Sequence, residues 1–336
     1  MLDRFFWDDA NLAKIAVTGA AGFLGSHVAR HLKERGDELV LIDDLSAGFL
    51  DNLRGLGVEQ KCLTGDLRDY KFANDSLKGV EKIFHFAAVV GSVAYLHGSN
   101  ANEVDAMQSN LVIDSNVLRA CNSNGIKRII YPSSVSVYPI DEQFGSKIAF
   151  KEEDSIRKVN PEGGYGWAKY VAEKQLEMMP GIACGVARIF HAYGENIYLP
   201  EDKSQVIASL MRKAILYPKE DFVVWGDGEQ RRCFIFIDDV MDALFSLETR
   251  VDKGENLTVN VGSTDEITVG KLAQMIVGLS KKEIKIGFDM SKPRGALSRK
   301  PDLAFIKREL NWEPRTSLKD GLERTYSWAE KRLKVA

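Results

Sequence analysis

Short apolar runs alternate with segments of helical periodicity through the first half of the chain. The apolar runs predict strands at 14–20, 38–44, 59–67, 80–88, 126–138 and 181–190. Helices are predicted at 23–36, at 102–124 and from Gly164 onward. Strands of a parallel sheet are buried on both faces and therefore read as continuously apolar, as these runs do. The alternation predicts an α/β fold with a doubly wound parallel sheet.

After about residue 190 the alternation loosens, and loops rich in Pro, Gly and charged residues become frequent. We therefore predict a smaller α/β C-terminal portion, set on the open edge of the sheet, that binds the substrate. The predicted division is a sheet domain at 12–190, to which 232–262 returns, and a second portion made of 191–231 and 263–336. A crevice between two such portions is the usual ligand site of α/β proteins.

The composition excludes several classes of protein. The chain has 336 residues, 45% of them hydrophobic, which is ample for a large core. The net charge is −3 with acids and bases mixed, so no basic surface for nucleic acid is expected. The longest apolar run, 83–96, is too short to span a bilayer, and the first residues lack the apolar segment of a signal peptide.

Cysteine and histidine usage favours a reducing compartment and no metal site. The four cysteines are widely separated: Cys62, Cys121, Cys184 and Cys233. Unpaired thiols of this kind are typical of a cytoplasmic protein, which is our predicted location. His27 and His31 lie four residues apart on a predicted helix, but no carboxylate or thiol completes a zinc set beside them.

A glycine-rich loop joins the first predicted strand to the first helix. Gly19, Gly22 and Gly25 are spaced G-x-x-G-x-x-G, which suits a tight turn, close approach of a pyrophosphate and close helix packing. The following helix N-terminus offers free N–H groups to phosphates. Asp43 ends the next strand, where a carboxylate binds a ribose diol and repels a 2′-phosphate. The pattern predicts a Rossmann domain that binds NAD rather than NADP.

Tyr165 and Lys169 are four residues apart, which places both on one face of a helix. A lysine near a phenol favours the phenolate and makes a general base usable near neutral pH. The strand at 126–138 ends in hydroxyl side chains, Ser133, Ser134 and Ser136, without an acid, a base or a metal ligand.

These motifs together resemble the extended short-chain dehydrogenase/reductase family. The resemblance is carried by TGAAGFLG (18–25), Asp43, GDL (65–67), HFAA (85–88), SSVSVY (133–138) and YGWAK (165–169), and it continues through WGDGEQRRCFIFIDDV (225–240), NVGS (260–263) and LNWEP (310–314). It implies an NAD-dependent enzyme that acts on sugar nucleotides as an epimerase, dehydratase, decarboxylase or reductase. The implied catalytic residues are Ser134, Tyr165 and Lys169.

The resemblance also implies binding residues and a partner. The cofactor-binding set is Gly19, Gly22, Phe23, Leu24, Gly25, Asp43, Asp66, Leu67, Ala87, Tyr165 and Lys169. The substrate-binding set is Ser134, Ser136, His191, Arg232, Arg294 and Arg299, where Arg232 and either Arg294 or Arg299 hold the diphosphate. The family implies a homodimer formed by the helices at 102–124 and 164–178.

In this family the residues after the catalytic Ser or Thr help to choose the reaction. Val135 cannot act as an acid, and the hydroxyl of Ser136 does not titrate near neutral pH. The sequence Ser134-Val135-Ser136 is most similar to the 4-epimerases, in which hydride transfer is the whole reaction. We therefore expect a UDP- or GDP-linked hexose to be inverted, at C4, by oxidation and hydride return.

Other segments favour a different enzyme of the family. AAVVGSVAYLHGSN (87–100), WGDGEQRRCF (225–234) and SRKPDLAFIKRELNW (298–312) resemble the GDP-mannose 3,5-epimerases, whose catalytic Cys falls on Ser136 and whose second proton-transfer lysine falls on Gln205, with Lys203 close by. His191 stands where the family usually has Asn. The alternatives are a GDP-sugar 3,5-epimerase, a one-way NDP-sugar oxidoreductase or 4-keto reductase, and, outside enzymes, a non-catalytic nucleotide-binding protein.

Overall fold

The computed structural model describes residues 13–57, 62–144, 149–292 and 296–335. The strands are β1 Lys14–Thr18, β2 Glu38–Asp43, β3 Cys62–Thr64, β4 Lys82–His85, β5 Arg128–Ser134, β6 Ala183–Ile189, β7 Ala192–Tyr193, β8 Val223–Trp225, β9 Arg231–Cys233, β10 Ile235–Phe236, β11 Leu257–Val261, β12 Glu266–Thr268 and β13 Gly287–Asp289. The helices are α1 Phe23–Arg35, α2 Tyr70–Ser76, α3 Val93–His97, α4 Asn100–Ser123, α5 Ile140–Gln143, α6 Asp154–Arg157, α7 Gly163–Met178, α8 Val206–Leu216, α9 Ile237–Asp252, α10 Val269–Ser280, α11 Ala304–Leu310 and α12 Leu318–Val335.

Seven strands form one parallel sheet in the order β11-β6-β5-β4-β1-β2-β3. The chain moves outward from β1 in one direction through β2 and β3, and in the other direction from β4 onward. The predicted doubly wound fold is confirmed. The reversal between β1 and β4 creates a crevice at the carboxyl ends of the strands, which is where such folds bind ligands.

Apolar helix faces cover both sides of the sheet. One core joins α2, α4 and α7 to the sheet, with Ile113, Val117 and Leu176 buried. The other joins α1 and α9, with Val28 and Leu244 buried, and continues into the C-terminal portion. Burial on both faces explains why the strands of this sheet carry so few polar residues.

The C-terminal portion is built from small pairs of strands and from the helices α8, α10, α11 and α12. β8 pairs with β13 and β9 pairs with β12, while α8, α10 and α12 pack together beside them. β11 leaves this portion and adds to the large sheet next to β6. The division of the chain into two functional portions stays a prediction.

The sequence-predicted strands are all shorter in the structure, and the runs at 126–138 and 59–67 lose the most residues. The run at 126–138 is a strand only to Ser134, and a 3₁₀ turn follows at Val135–Val137. The Ser134 side chain accepts a hydrogen bond from the Ser136 amide at 3.1 Å, which starts this turn. The run at 59–67 is a strand over Cys62–Thr64, and residues 58–61 lie outside the described ranges. Across the described ranges, no helix is both long enough and apolar enough to cross a membrane.

Candidate active site

The structure brings Ser134, Tyr165 and Lys169 together at the carboxyl end of β5. Ser134 is the last residue of that strand, and α7 carries Tyr165 and Lys169 one turn apart. Tyr165 hydrogen-bonds Ser134. The Lys169 ammonium donates to the Pro132 carbonyl at 3.0 Å and lies 6.0 Å from the centre of the Tyr165 ring. A half-buried proton acceptor, a half-buried hydroxyl donor and a buried cation therefore lie together.

Burial changes the acidity of this cluster. Burial, helped by the Asp114 carboxylate, raises the pKa of Tyr165, while the hydrogen bond from Ser134 lowers it. Burial lowers the pKa of Lys169, against the pull of Asp114 and Glu173. From the sequence we expected Lys169 to lower the pKa of Tyr165, but burial of the phenol raises this pKa instead. The phenol is therefore a weaker acid than we expected.

Asp114 was missed by the sequence analysis. It lies on α4 and is almost fully buried. Its carboxylate accepts a hydrogen bond from the Tyr131 hydroxyl at 3.0 Å and hydrogen-bonds His85 Nε2 at 3.1 Å. His85 Nδ1 is 2.6 Å from Thr18 Oγ1, which accepts from the Ala87 amide at 3.1 Å. The network connects the catalytic cluster with β1 and β4. The sequence signal that could have identified Asp114 is its position as a single acid within the apolar helical run LVIDSNVLRAC.

A second buried network fixes α7 against the sheet. The Glu173 carboxylate accepts hydrogen bonds from the Arg188 guanidinium at 3.0 and 2.6 Å and from the Ser133 hydroxyl at 2.5 Å. Arg188 also donates to the Tyr138 hydroxyl at 3.2 Å. Since Ser133 precedes Ser134 on β5 and Glu173 lies one turn after Lys169 on α7, the network sets the distance between the two catalytic elements.

The glycine loop has the geometry that a dinucleotide needs. Gly19 adopts φ +64°, a left-handed conformation that glycine accepts without strain. A Cβ at Gly25 would lie 2.1 Å from the Gly19 carbonyl oxygen, so only glycine lets α1 start this close to β1. The Asp43 carboxylate accepts hydrogen bonds from the backbone amides of Ala21 and Leu45 at 2.9 and 2.8 Å. The loop and the acid at the end of β2 fit an NAD molecule bound at the N-terminus of α1.

The other sequence-predicted cofactor residues lie around this crevice. Phe23 and Leu24 open α1, and Ala87 follows β4. Asp66 and the buried Leu67 follow β3. The Arg68 guanidinium pairs with the Asp66 carboxylate at 2.8 Å and lowers its pKa.

Arg232, Arg299 and His191 lie close together and form a cationic cluster. The Arg232 guanidinium donates to the carbonyls of Arg231 and Ala296, both at 2.7 Å. Burial and the neighbouring Arg299 lower the pKa of Arg232. Burial and both arginines hold the pKa of His191 well below its usual range, so this ring is neutral at pH 7. Arg294 lies outside the described residues, so the choice between it and Arg299 stays a prediction.

Some polar atoms of this cluster lack a partner. Within the described ranges, His191 Nε2 and Arg299 Nε are buried and make no hydrogen bond. Buried polar groups are rarely left unpaired, because this costs about 1–3 kcal/mol each. The unpaired Nε of Arg299, next to the guanidinium of Arg232, therefore favours an anionic ligand at this place.

Glu162 is the second residue that the sequence analysis missed. It immediately precedes α7, and its carboxylate accepts a hydrogen bond from the Ser136 hydroxyl at 3.1 Å. Its other oxygen pairs with the Arg299 guanidinium. The Glu162 amide donates to the Ser136 carbonyl at 2.8 Å. The strand tip thus carries hydroxyl side chains, as expected, but a carboxylate from the next helix lies beside Ser136.

Lys203 and Gln205 are the two candidates for a further proton-transfer group. The Lys203 ammonium is 3.3 Å from the Ser46 carbonyl and 5.0 Å from the centre of the Tyr95 ring. Gln205 precedes α8 and is exposed. Lys203 therefore contacts the loop after β2 and the helix α3.

Known proteins that are similar to this chain agree with the geometry of the site. Residues 15–262 match the model of the NAD dependent epimerase/dehydratase family. GDP-mannose 3,5-epimerase 1 of Oryza sativa subsp. japonica is 31% identical over 334 residues, covering 98% of this chain and 84% of the relative. UDP-glucuronic acid decarboxylase 1 of Arabidopsis thaliana is 29% identical over 321 residues, covering 94% and 69%.

Solved structures give the same fold. The UDP-glucose 4-epimerase of Thermotoga maritima, crystallised with UDP-glucose, superposes with a TM-score of 0.80 at 26% identity and covers 95% of this chain and 99% of that one. The resemblance drawn from the motifs is confirmed, and so are its enzymatic class and its cofactor, NAD. The chain belongs to the NAD-dependent epimerase/dehydratase family.

Proposed function

We propose that this protein is an NAD-dependent epimerase that inverts C4 of a UDP- or GDP-linked hexose. The observation that carries the proposal is the cluster of half-buried Ser134 and Tyr165 with buried Lys169, next to a strand tip whose own side chains, Val135 and Ser136, do not titrate near neutral pH. Such a site handles a proton on oxygen, and the carboxylate beside the strand tip, Glu162, is held by Ser136 and Arg299.

The catalytic residues have separate tasks in this proposal. Tyr165 accepts the proton of the sugar hydroxyl, and Ser134 donates a hydrogen bond to the reacting oxygen. Lys169 is a fixed positive charge near Tyr165 that stabilises the phenolate during proton transfer. Asp114 and Glu173 keep these groups in place through Tyr131, Ser133 and Arg188.

The glycine loop and Asp43 hold the cofactor. The amides at the start of α1 face the pyrophosphate, and the Asp43 carboxylate binds the ribose. When bound, NAD supplies the hydride acceptor and returns the hydride to the ketone. Inversion then requires only that the ketone present its other face before the hydride returns.

Arg232 and Arg299 bind the diphosphate of the substrate. Both guanidinium groups are buried on the cleft side of β9 and of the segment before α11. Neutral His191 adds a hydrogen-bonding nitrogen without a further charge. This supports a sugar nucleotide as the substrate, because arginine pairs with phosphate in two-point contacts.

A GDP-sugar 3,5-epimerase is the second candidate, since a relative of that name is 31% identical over nearly the whole chain. It would need a group that removes a proton from carbon, and Ser136 stands where those enzymes have Cys. A one-way oxidoreductase or keto reductase uses the same catalytic cluster. A non-catalytic nucleotide-binding protein would not need Ser134, Tyr165 and Lys169 together at one place.

NMR in heavy water separates these candidates. The NAD-loaded protein is incubated with UDP-, GDP-, CDP- and dTDP-hexoses, and Tyr165→Phe serves as the inactive control. We expect one epimer pair without deuterium on carbon. Deuterium beside the reacting carbon would favour the 3,5-epimerase, whereas reduced cofactor with a keto-sugar would favour the oxidoreductase. No turnover and no binding of any sugar nucleotide would contradict the enzyme proposal.

We also propose a homodimer formed through α4 and α7. These helices pack side by side, and their outer surface exposes Val104, Val112, Trp167 and Met178. Exposed apolar residues on two neighbouring helices favour pairing with a second copy. Light scattering is expected to give the mass of two chains, and Val112→Glu is expected to shift the protein toward monomer.

A cytoplasmic location belongs to the proposal as well. Cys62, Cys121, Cys184 and Cys233 are free thiols, and all except Cys62 are buried. Free thiols persist in a reducing compartment. Fractionation of cells that produce the protein at natural levels is the direct test.

A further inference from the structure

Ser136, Glu162 and Arg299 form a chain of contacts from the catalytic strand tip to the cationic cluster. The Ser136 hydroxyl donates to one Glu162 oxygen at 3.1 Å, and Arg299 binds the other oxygen. All three residues are at least nine-tenths buried. Nothing in the catalytic roles of Ser134, Tyr165 and Lys169 requires this carboxylate.

The contact with Glu162 fixes the polarity of Ser136. A hydroxyl has one proton and two lone pairs. The Ser136 proton is directed to a carboxylate, which can only accept. The lone pairs of Ser136 therefore remain for the ligand, and its oxygen can take a hydrogen bond from a sugar hydroxyl or an amide N–H. A carboxylate on the sugar would meet lone pairs instead of a proton.

The charges of the cluster also disfavour a carboxylate on the sugar. Arg232 and Arg299 bring two positive charges, and Glu162 brings one negative charge. A diphosphate adds about two negative charges, so the cluster with a sugar nucleotide already has a net negative charge. A further carboxylate on the sugar would be repelled at short range in a site shielded from water.

Resting on the proposed function, we propose that Glu162 is a specificity-determining residue, which makes the site select neutral hexoses and reject uronates. Glu162 acts by directing the Ser136 proton away from the sugar and by adding a negative charge next to Arg299. The substrate class is therefore a nucleoside-diphosphate hexose with a hydroxyl or amide donor facing Ser136. This preference for a neutral sugar contrasts with the uronate in the name of one relative, UDP-glucuronic acid decarboxylase 1 of Arabidopsis thaliana.

The test is a set of binding titrations on the NAD-loaded protein. UDP and GDP are titrated first, to identify the base that binds. The neutral sugar nucleotide and its uronate are then compared on that base, UDP-glucose with UDP-glucuronate or GDP-mannose with GDP-mannuronate. The wild type is expected to bind the neutral sugar at least about tenfold more tightly.

Glu162→Gln removes the charge and gives an amide that can donate to a carboxylate. It is expected to lower the ratio between the uronate and neutral-sugar dissociation constants by about tenfold, mainly because the uronate binds more tightly. Glu103→Gln is the matched control, because Glu103 also holds the start of α7, through the Gly164 amide, but from the side of His97. For Glu103→Gln, the ratio between the two dissociation constants is expected to stay within about twofold of the wild-type ratio.

Ser136→Ala is a second variant that keeps the Glu162–Arg299 pair. It is expected to weaken binding of the neutral sugar by about threefold to tenfold and to leave uronate binding unchanged. Equal wild-type affinity for the two sugars, or an unchanged preference in Glu162→Gln, would overturn this inference alone. If the wild type bound no nucleoside diphosphate and no sugar nucleotide, the proposed function itself would be wrong.

Discussion

The Asp43 carboxylate at the end of β2 accepts a hydrogen bond from the Ala21 amide inside the glycine loop, at 2.9 Å. Its other oxygen accepts the Leu45 amide at 2.8 Å. The acid that we expect to bind the ribose therefore also holds the pyrophosphate loop in shape. Burial raises its pKa, while these amides lower it, and burial is the larger effect.

Replacing Asp43 is expected to weaken NAD binding and to reduce the discrimination against NADP. Asp43→Asn keeps the size of the side chain but loses the charge that repels a 2′-phosphate and one of the two acceptors for the loop amides. We expect about tenfold weaker NAD binding and a smaller ratio between the NADP and NAD dissociation constants. Titration with both cofactors measures this. An unchanged ratio would show that the carboxylate does not face the ribose.

The fold could be predicted because its signals are local. Apolar runs such as 14–20 and 38–44 are long enough to identify buried strands, and Gly19 to Gly25 identify the first turn. The end of β5 was predicted four residues too late, since Val135 and Val137 continue the apolar pattern while Ser134 starts a turn through its side chain. The hydrophobic pattern alone does not show that the Ser134 side chain competes with the strand for the backbone hydrogen bond.

The catalytic cluster could also be predicted, whereas the groups that surround it could not. Ser134, Tyr165 and Lys169 stand in motifs, but Glu162 and Asp114 do their work through contacts with Arg299 and His85, 137 and 29 residues away in the chain. Which acid meets which base across such separations depends on tertiary packing. The same packing reversed the expected direction of the Tyr165 pKa.

Gly25→Ala is expected to abolish NAD binding and to destabilise the protein. Its Cβ would lie 2.1 Å from the Gly19 oxygen and 2.9 Å from the Ala20 Cα, and backbone atoms cannot yield without opening the loop. Gly278→Ala is the control, because this glycine lies in α10 with open space around a new Cβ. The control is expected to stabilise the protein by about 0.5–1 kcal/mol in urea unfolding. Normal NAD binding by Gly25→Ala would contradict the assignment of the loop.

Tyr165→Phe is expected to lower turnover by about 10²–10⁴-fold, the range for loss of one acid–base group. Because burial raises the pKa of Tyr165, the phenolate fraction of the free enzyme is small at pH 7 and increases with pH. The kcat/KM of the wild type is therefore expected to rise from pH 7 to 9. Tyr70→Phe removes an outer hydroxyl, 3.1 Å from Ser123, and is expected to keep full activity. A flat profile would mean that another group accepts the proton.

Glu173→Gln is expected to destabilise the fold strongly, because it leaves the Arg188 charge buried without its counter-ion. Loss of one partner from such a pair costs about 3–5 kcal/mol. The matched control on the same helix is Glu177→Gln, whose pair with Lys174 is partly exposed and is expected to contribute less than about 1 kcal/mol. Urea unfolding compares the two variants. Equal losses would show that the buried network does not fix α7 against the sheet.

Glu248 on α9 is expected to make the stability of the protein depend on pH. It is buried and binds the Arg35 guanidinium at 2.7 and 3.0 Å and the Lys82 ammonium at 2.6 Å, which hold its pKa below the usual 4.5. A depressed folded pKa gives stability that is complete above pH 4.5 and is lost as pH falls through the folded value.

The free energy of unfolding, measured in urea at pH 7, 5 and 3.5, is therefore expected to fall more steeply for the wild type than for Glu248→Gln below pH 4.5. The two proteins should differ most at pH 7, where the wild-type carboxylate is fully ionised and paired. Lys82 keeps Asp252 as a partner in the variant, at 2.7 Å, so the variant is expected to fold. A constant difference between the two proteins across this pH range would show that the charge of Glu248 contributes nothing to stability.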